Sequence, residues 1–245
     1  MTSRDGAEKN GAEKKVVIVT GASQGIGAGV AAAFRAAGYV VVGTALSVEP
    51  SATPDVLMLP GDIAQAETSE LVVQQALDRF GRIDTLVNDA GIFIGKPFTE
   101  CTFDDYVAIT SVNLTGFFHI TQRVIRQMVT EGGGHVVNVS TSLVEHADRR
   151  TPSALASLTK GGLEAVTRSL ATEYAGRGVR VNAVALGIIE TPLHDPASYR
   201  ELADRHPLGR VGEISDVVDG ILYLERASFV TGEILHIDGG RAAGG

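Results

Sequence analysis

The residues best placed for chemistry form a glycine-rich loop, "TGASQGIG", in which Gly21, Gly25 and Gly27 follow the β-branched run "VVIVT" and precede an alanine-rich stretch. Glycine lets a backbone turn tightly and approach a ligand closely. The helix that follows presents unpaired N–H groups and the positive end of its dipole to an anion. A strand, this loop and a helix in that order point to the pyrophosphate of a dinucleotide, with Ser23, Gln24 and Ile26 beside the glycines. Other reactive side chains are isolated. Cys101 is the single cysteine, so it makes no internal disulfide, has no neighbours at metal-ligand spacing and reads as a small buried apolar residue. His194 and His206 stand alone in a loop-like segment, and no metal is assigned.

The elements that must position this loop are written in the rest of the chain. Short β-branched runs alternate with longer segments of helical period, the pattern of a parallel sheet covered on both faces. The runs are "VVIVT", "YVVVGT", "VLMLP", "DTLVN", "HVVNVS", "VRVNAV" and "EILHID". They predict a Rossmann-like, doubly wound α/β fold, with about seven parallel strands and helices on both faces. Among the helical segments, "SELVVQQALDRFG" and "FDDYVAITSVNLTGFFHITQRVIRQMV" repeat apolar residues three and four apart. At 245 residues the chain suits one domain, read over 15–245, preceded by a polar lead over 1–14 that is expected to be disordered. A net charge of −8 with scattered basic residues disfavours nucleic acid. The sequence has no apolar run of about 18 residues, so no membrane span is expected. The lone cysteine fits a reducing, cytoplasmic setting.

The motifs "TGASQGIG", "GDI", "VNDAG", "SVNLTG", "NVSTS", "SLTKGG", "VRVNAVALGIIETP" and "FVTGEILHIDGG" occur in that order between Lys15 and Gly240. In this order they resemble the short-chain dehydrogenase/reductase family, of its short, single-domain type. The resemblance implies an NAD(P)(H)-dependent oxidoreductase acting on a small carbonyl or alcohol substrate, assembled as a homodimer or homotetramer. It implies that Asp62 and Ile63 contact the adenine, and that Asn88, Ala90 and Gly91 form the adenosine-side strand end. Gly187, Ile189 and Thr191 would hold the nicotinamide carboxamide. Cofactor choice falls at the end of the second strand, near Ala45 and Ser47. No acid stands there to repel a 2′-phosphate and Ser47 can bond one, which tilts the expectation to NADP, with NAD as the alternative.

Family chemistry uses an asparagine, a serine, a tyrosine and a lysine. Asn113 matches the asparagine, and Lys160 matches the lysine that holds the nicotinamide ribose. The serine position falls on Thr141, with Ser142 as the second choice. The tyrosine position, one helical turn before Lys160, holds Ala156, which carries no ionisable group. Asp89 and Leu186 depart from the family pattern as well. Three readings follow: an oxidoreductase with an altered proton relay, a cofactor-binding protein with little or no turnover, and a non-redox reaction in which Lys160 supplies charge. Water held by Lys160 and the loop residue His146 are the candidate replacement proton donors. Substrate selection is expected from the lid-like segment Thr191 to Arg210.

Overall fold

Seven β-branched runs become seven strands: β1 (Val16–Thr20), β2 (Val40–Ala45), β3 (Val56–Pro60), β4 (Thr85–Asn88), β5 (Gly134–Thr141), β6 (Val179–Leu186) and β7 (Ile234–Ile237). They pair in parallel in the order β3-β2-β1-β4-β5-β6-β7. The computed structural model describes residues 14–192 and 196–244. The lead expected over 1–14 lies outside the described residues apart from Lys14, and so does His194.

The period of two along β1 shows why the runs form strands and how they sort the helices. Val16 and Ile18 pack with Val72 and Ala76 of α2 (Ala66–Phe80) and with Ile120 and Val124 of α4 (Phe117–Glu131). Val17 and Val19 face the other way, onto Val30 and Phe34 of α1 (Gly25–Ala36) and Val217, Ile221 and Leu224 of α7 (Ile214–Arg226). Both faces are therefore covered, as a parallel sheet of continuous apolar strands requires. The chain moves outward from β1 through β2 to β3, then returns to place β4 on the other side of β1. The crevice at the carboxyl ends of β1 and β4 is the switch point at which such sheets bind ligands.

The long segment expected as one helix is broken into α3 (Phe103–Thr110), a π-helical turn (Ser111–Gly116) and α4. Such turns displace a side chain from the helical register and often sit at functional positions; this one carries Asn113. The helix expected to open at "SLTKGG" begins earlier, as α5 (Ala154–Tyr174), so position 156 is helical and shares a face with Lys160. Between β6 and α7 the chain forms a short helix, α6 (Tyr199–Ala203).

Candidate active site

The glycine loop adopts the geometry its sequence demands. Gly21 and Gly25 have φ of +73° and +56°, the left-handed region that favours glycine. Gly27 lies within α1, where an added Cβ would run into the Gly21 carbonyl and come 2.7 Å from Asp89 Oδ2. Gln24 precedes α1 with extended backbone and no side-chain cap, and the first turn holds no acid. The N–H groups of that turn thus open onto a cleft of about 1200 Å³ lined by Gly21, Ser23, Gln24, Gly25 and Ile26. A tight turn, an excluded Cβ and an uncapped helix start together fit the pyrophosphate of a dinucleotide.

The cleft crosses the carboxyl ends of the strands and gathers most of the residues singled out in sequence. Ala45, Ser47, Asp62, Ile63, Ala90, Gly91, Thr141, Lys160, Gly187 and Thr191 all line it. Asp62 also caps its own loop, accepting the Ala64 N–H at 2.9 Å on Oδ1, so its other oxygen remains for a ligand. The β4 end is fixed by Thr20 Oγ1, which accepts the N–H groups of Asp89 and Ala90 at 3.1 and 3.0 Å.

Gly27, Asn88, Asn113 and Ile189 lie outside the wall and act through it. Asn88 Nδ2 donates to Thr121 Oγ1 and Asn138 Oδ1, both at 2.9 Å, and Asn138 Nδ2 donates to Thr167 Oγ1 at 2.8 Å. This chain ties α4, β4, β5 and α5 together beneath the cleft. Asn113 is buried, accepts the Ile92 N–H at 2.9 Å and donates to the Ile92 carbonyl at 3.0 Å. It therefore shapes the loop after β4, with a further donation to Thr159 Oγ1 at 3.2 Å. Ile189 is buried in the core and its backbone pairs with Gly212.

The two candidates for the serine position differ in their surroundings. Beyond β5 the chain enters a 3₁₀ turn, and Ser142 is fully buried with its hydroxyl unpaired and is not among the residues lining the cleft. Ser140 spends its hydroxyl on Glu164 Oε1 at 2.7 Å. Thr141 is the residue whose hydroxyl is loosely held: it donates to the Leu186 carbonyl at 3.4 Å and accepts the Leu143 N–H at 3.3 Å. Both bonds are long enough to yield to a better partner. His146 is not among the residues lining the cleft.

Lys160 donates to the Val139 carbonyl at 2.6 Å, using one of its three donors. Its ammonium packs against Gly91, where a built Cβ would meet Lys160 Nζ and Asn113 Oδ1, each at 3.3 Å. Burial pushes its pKa down to about 8, opposed by the negative charge of Asp89. Burial likewise pushes Asp89 up to about 7, against the pull of the Lys160 charge and the Gly27 N–H. One turn before Lys160, Ala156 is 2% exposed and packs with Ile109, Leu155, Ile94 and Cys101 at the cleft wall. No tyrosine is among the described residues that line the cleft.

The cleft is also lined by Leu202 and Arg205, from the Thr191 to Arg210 segment expected to select substrate, and by Phe93, Leu143, Arg150, Thr151 and Arg241, which sequence reasoning did not single out. These residues come from distant segments without a shared spacing, so only the fold brings them together. Among the described residues, no group of three or more His, Cys, Asp or Glu is arranged to hold a metal ion, and no helix is long and apolar enough to cross a membrane.

Residues 21–242 match the family model described as enoyl-(acyl carrier protein) reductase. The chain is 37% identical over 242 residues to the 3-oxoacyl-(acyl-carrier-protein) reductase FabG of Thermotoga maritima, covering 93% of this chain and 98% of that protein. It is 36% identical over 236 residues to L-xylulose reductase of Bos taurus, covering 91% and 94%. Among solved structures, that of ElxO with NADP bound superposes with a TM-score of 0.88 at 29% identity, covering 94% of this chain and 99% of the other.

Proposed function

The chain belongs to the short-chain dehydrogenase/reductase family, and from that membership we propose that it is a nicotinamide-dependent oxidoreductase. It interconverts a carbonyl and an alcohol, with a proton relay that lacks a tyrosine. The observation that carries this reading is the continuity of the cleft from the uncapped start of α1 to Lys160. A bound nicotinamide supplies the hydride acceptor or donor for the substrate carbon. The glycine loop and the α1 N-terminus would hold the pyrophosphate. Asp62, Ile63, Ala90 and Gly91 would hold the adenosine, Lys160 the ribose, and Gly187 and Thr191 the carboxamide.

Thr141 would donate a hydrogen bond to the substrate oxygen. Ala156 stands in the tyrosine place, so Lys160 passes a proton through water to that oxygen and recovers it from solvent. A lysine held near 8 gives up a proton far more readily than an ordinary one. No carboxylate stands at Ala45 or Ser47 at the β2 end to repel a 2′-phosphate and the Ser47 hydroxyl can bond one, which supports NADP over NAD. The same reading takes the chain as one catalytic domain over 15–245 in a cytoplasmic homodimer or homotetramer. The exposed Phe103, Tyr106 and Phe118 beside α3 and α4 support the assembly.

A specific observation favours a second reading, a cofactor-binding protein with little turnover: the wall at Ala156 offers only a methyl group. The two separate in one experiment. NADPH and NADH binding is followed by fluorescence, and cofactor oxidation is then measured with ketones, aldehydes and imines. Binding followed by measurable carbonyl reduction supports the first reading, and binding without turnover overturns it in favour of the second. Imine turnover without carbonyl turnover would assign the site to a different reaction.

A further inference from the structure

We propose that the end of the cleft remote from the adenosine side is an anion subsite, built by Arg150, Arg205 and Arg241 around Asp148, that selects carbonyl substrates bearing a carboxylate or a phosphate. The proposal rests on the oxidoreductase reading and deepens it by naming the substrate class.

Three segments converge there. Arg150 lies in the loop between β5 and α5, Arg205 just beyond α6, and Arg241 after β7. All three line the cleft that also holds Ala156 and Lys160. Asp148 is the shared pivot: Arg241 Nη2 donates to its Oδ2 at 3.0 Å, Arg205 Nη1 lies 3.9 Å from the same oxygen, and Arg150 Nε is 3.2 Å from Oδ1. Arg205 Nη1 is further positioned by donating to Thr151 Oγ1 at 2.7 Å.

Among the described residues, Asp148 is the one well-buried carboxylate that bonds these guanidinium groups. Glu201 comes closer to Arg205 than Asp148 does, 3.6 Å against 3.9 Å, but its side chain is 81% exposed, where water screens it. Asp238, which also faces this region, keeps its charge but directs both oxygens to the N–H groups of Gly240 and Ala242 and not to a guanidinium. The side chains of Arg205 and Arg241 are only 12% and 4% exposed. Arg241 is held below its ordinary pKa first by burial, with the charges of Arg205 and Arg150 acting in the same direction. Arg205 Nε is buried with no hydrogen-bond partner. A buried guanidinium N–H without a partner is costly to stability, and a bound anion that accepted from Arg205 Nε would relieve that cost. The planar fork of arginine suits carboxylate and phosphate oxygens alike.

The position separates this group from the cofactor's own phosphates. The adenosine ribose end falls at β2, next to one edge of the sheet. Arg241 follows β7, the opposite edge, and Arg150 follows β5. The wall of the same cleft is partly apolar, with Leu143 and Leu202 among its lining residues. The ligand that fits is a carbonyl compound with a short apolar spacer and an anionic end.

The test is calorimetric titration of the full chain, with and without NADP, using 5-oxohexanoate and its methyl ester, and dihydroxyacetone phosphate and dihydroxyacetone. We expect the charged member of at least one pair to bind 10-fold or more tightly than its neutral partner. The preferred pair distinguishes carboxylate from phosphate. Arg205→Met should erase that preference while NADP affinity stays within 2-fold. Arg150 is 55% exposed, so Arg150→Met should fold in any event and weaken the anion about 3-fold. Equal binding of acid and neutral partners in both pairs, or unchanged preference in the variants, would overturn the proposal. If NADP does not bind but the charged ligand is still preferred, the oxidoreductase reading fails and the subsite stands. If NADP binds and the preference is absent, the subsite fails alone.

Discussion

Replacing Asp89 by asparagine should stabilise this protein, and by an amount that depends on pH. The carboxyl rises from its ordinary 3.8 to about 7 because burial outweighs the help of Lys160 and the Gly27 N–H. The native state then binds a proton between those two values that the unfolded chain has lost, so stability falls as pH rises through that window. The full rise corresponds to about 4 kcal/mol above pH 7. Asparagine carries no charge to desolvate and keeps an oxygen for the Gly27 N–H. Part of the gain is returned, because the Asp89 charge supports the protonated Lys160. We expect a net gain of about 1–3 kcal/mol at pH 8 and less than half of that at pH 5. Urea unfolding of the two proteins at both pH values, without cofactor, measures it. A loss of stability in Asp89→Asn, or a gain independent of pH, would refute a buried carboxylate held against its preference for water.

Gly27→Ala should reduce cofactor affinity 100-fold or more, read by fluorescence titration, because the new methyl group meets the Gly21 carbonyl and the Asp89 carboxylate; an unchanged dissociation constant would contradict the assigned loop. Lys160→Met removes the charge beside Gly91 and Asn113 and should weaken cofactor binding about 10-fold, while far-ultraviolet circular dichroism stays unchanged. His206 accepts the Ile188 N–H at 3.0 Å on Nε2 and donates from Nδ1 to the Leu202 carbonyl at 3.2 Å. Burial, reinforced by Arg241, holds its pKa below the ordinary 6.5. Its neutral form therefore stabilises the fold above about pH 6.5, and that contribution is lost as pH falls below it. The melting temperature of His206→Gln should vary less than that of the wild type between pH 7 and 5.

The sheet was legible in the sequence because each strand is a compact β-branched run bounded by polar or glycine-containing turns. The structure differs from those runs by no more than two residues at either end, as at β5 and β6. The glycine loop was legible because positive φ and close approach leave few residue choices. Asn113 was singled out by its motif, yet its hold on Ile92 depends on a π-helical turn that apolar spacing does not announce. The burial of Ser142 was not legible because the chain leaves the strand immediately after Thr141, and a register argument holds only while the strand continues. Arg150, Arg205 and Arg241 were illegible because burial and convergence are tertiary properties: each reads alone as a surface cation.

The most direct test of the reading is the rate of NADPH oxidation with a saturating carbonyl substrate in the wild type and in Ala156→Tyr. Position 156 faces the cleft one helical turn before Lys160, and a positioned general acid contributes about 100-fold to 10,000-fold. The account predicts slow but measurable turnover in the wild type and a gain within that range in Ala156→Tyr. A wild type already as fast as its tyrosine variant, or a folded, cofactor-binding variant with no gain, would contradict it.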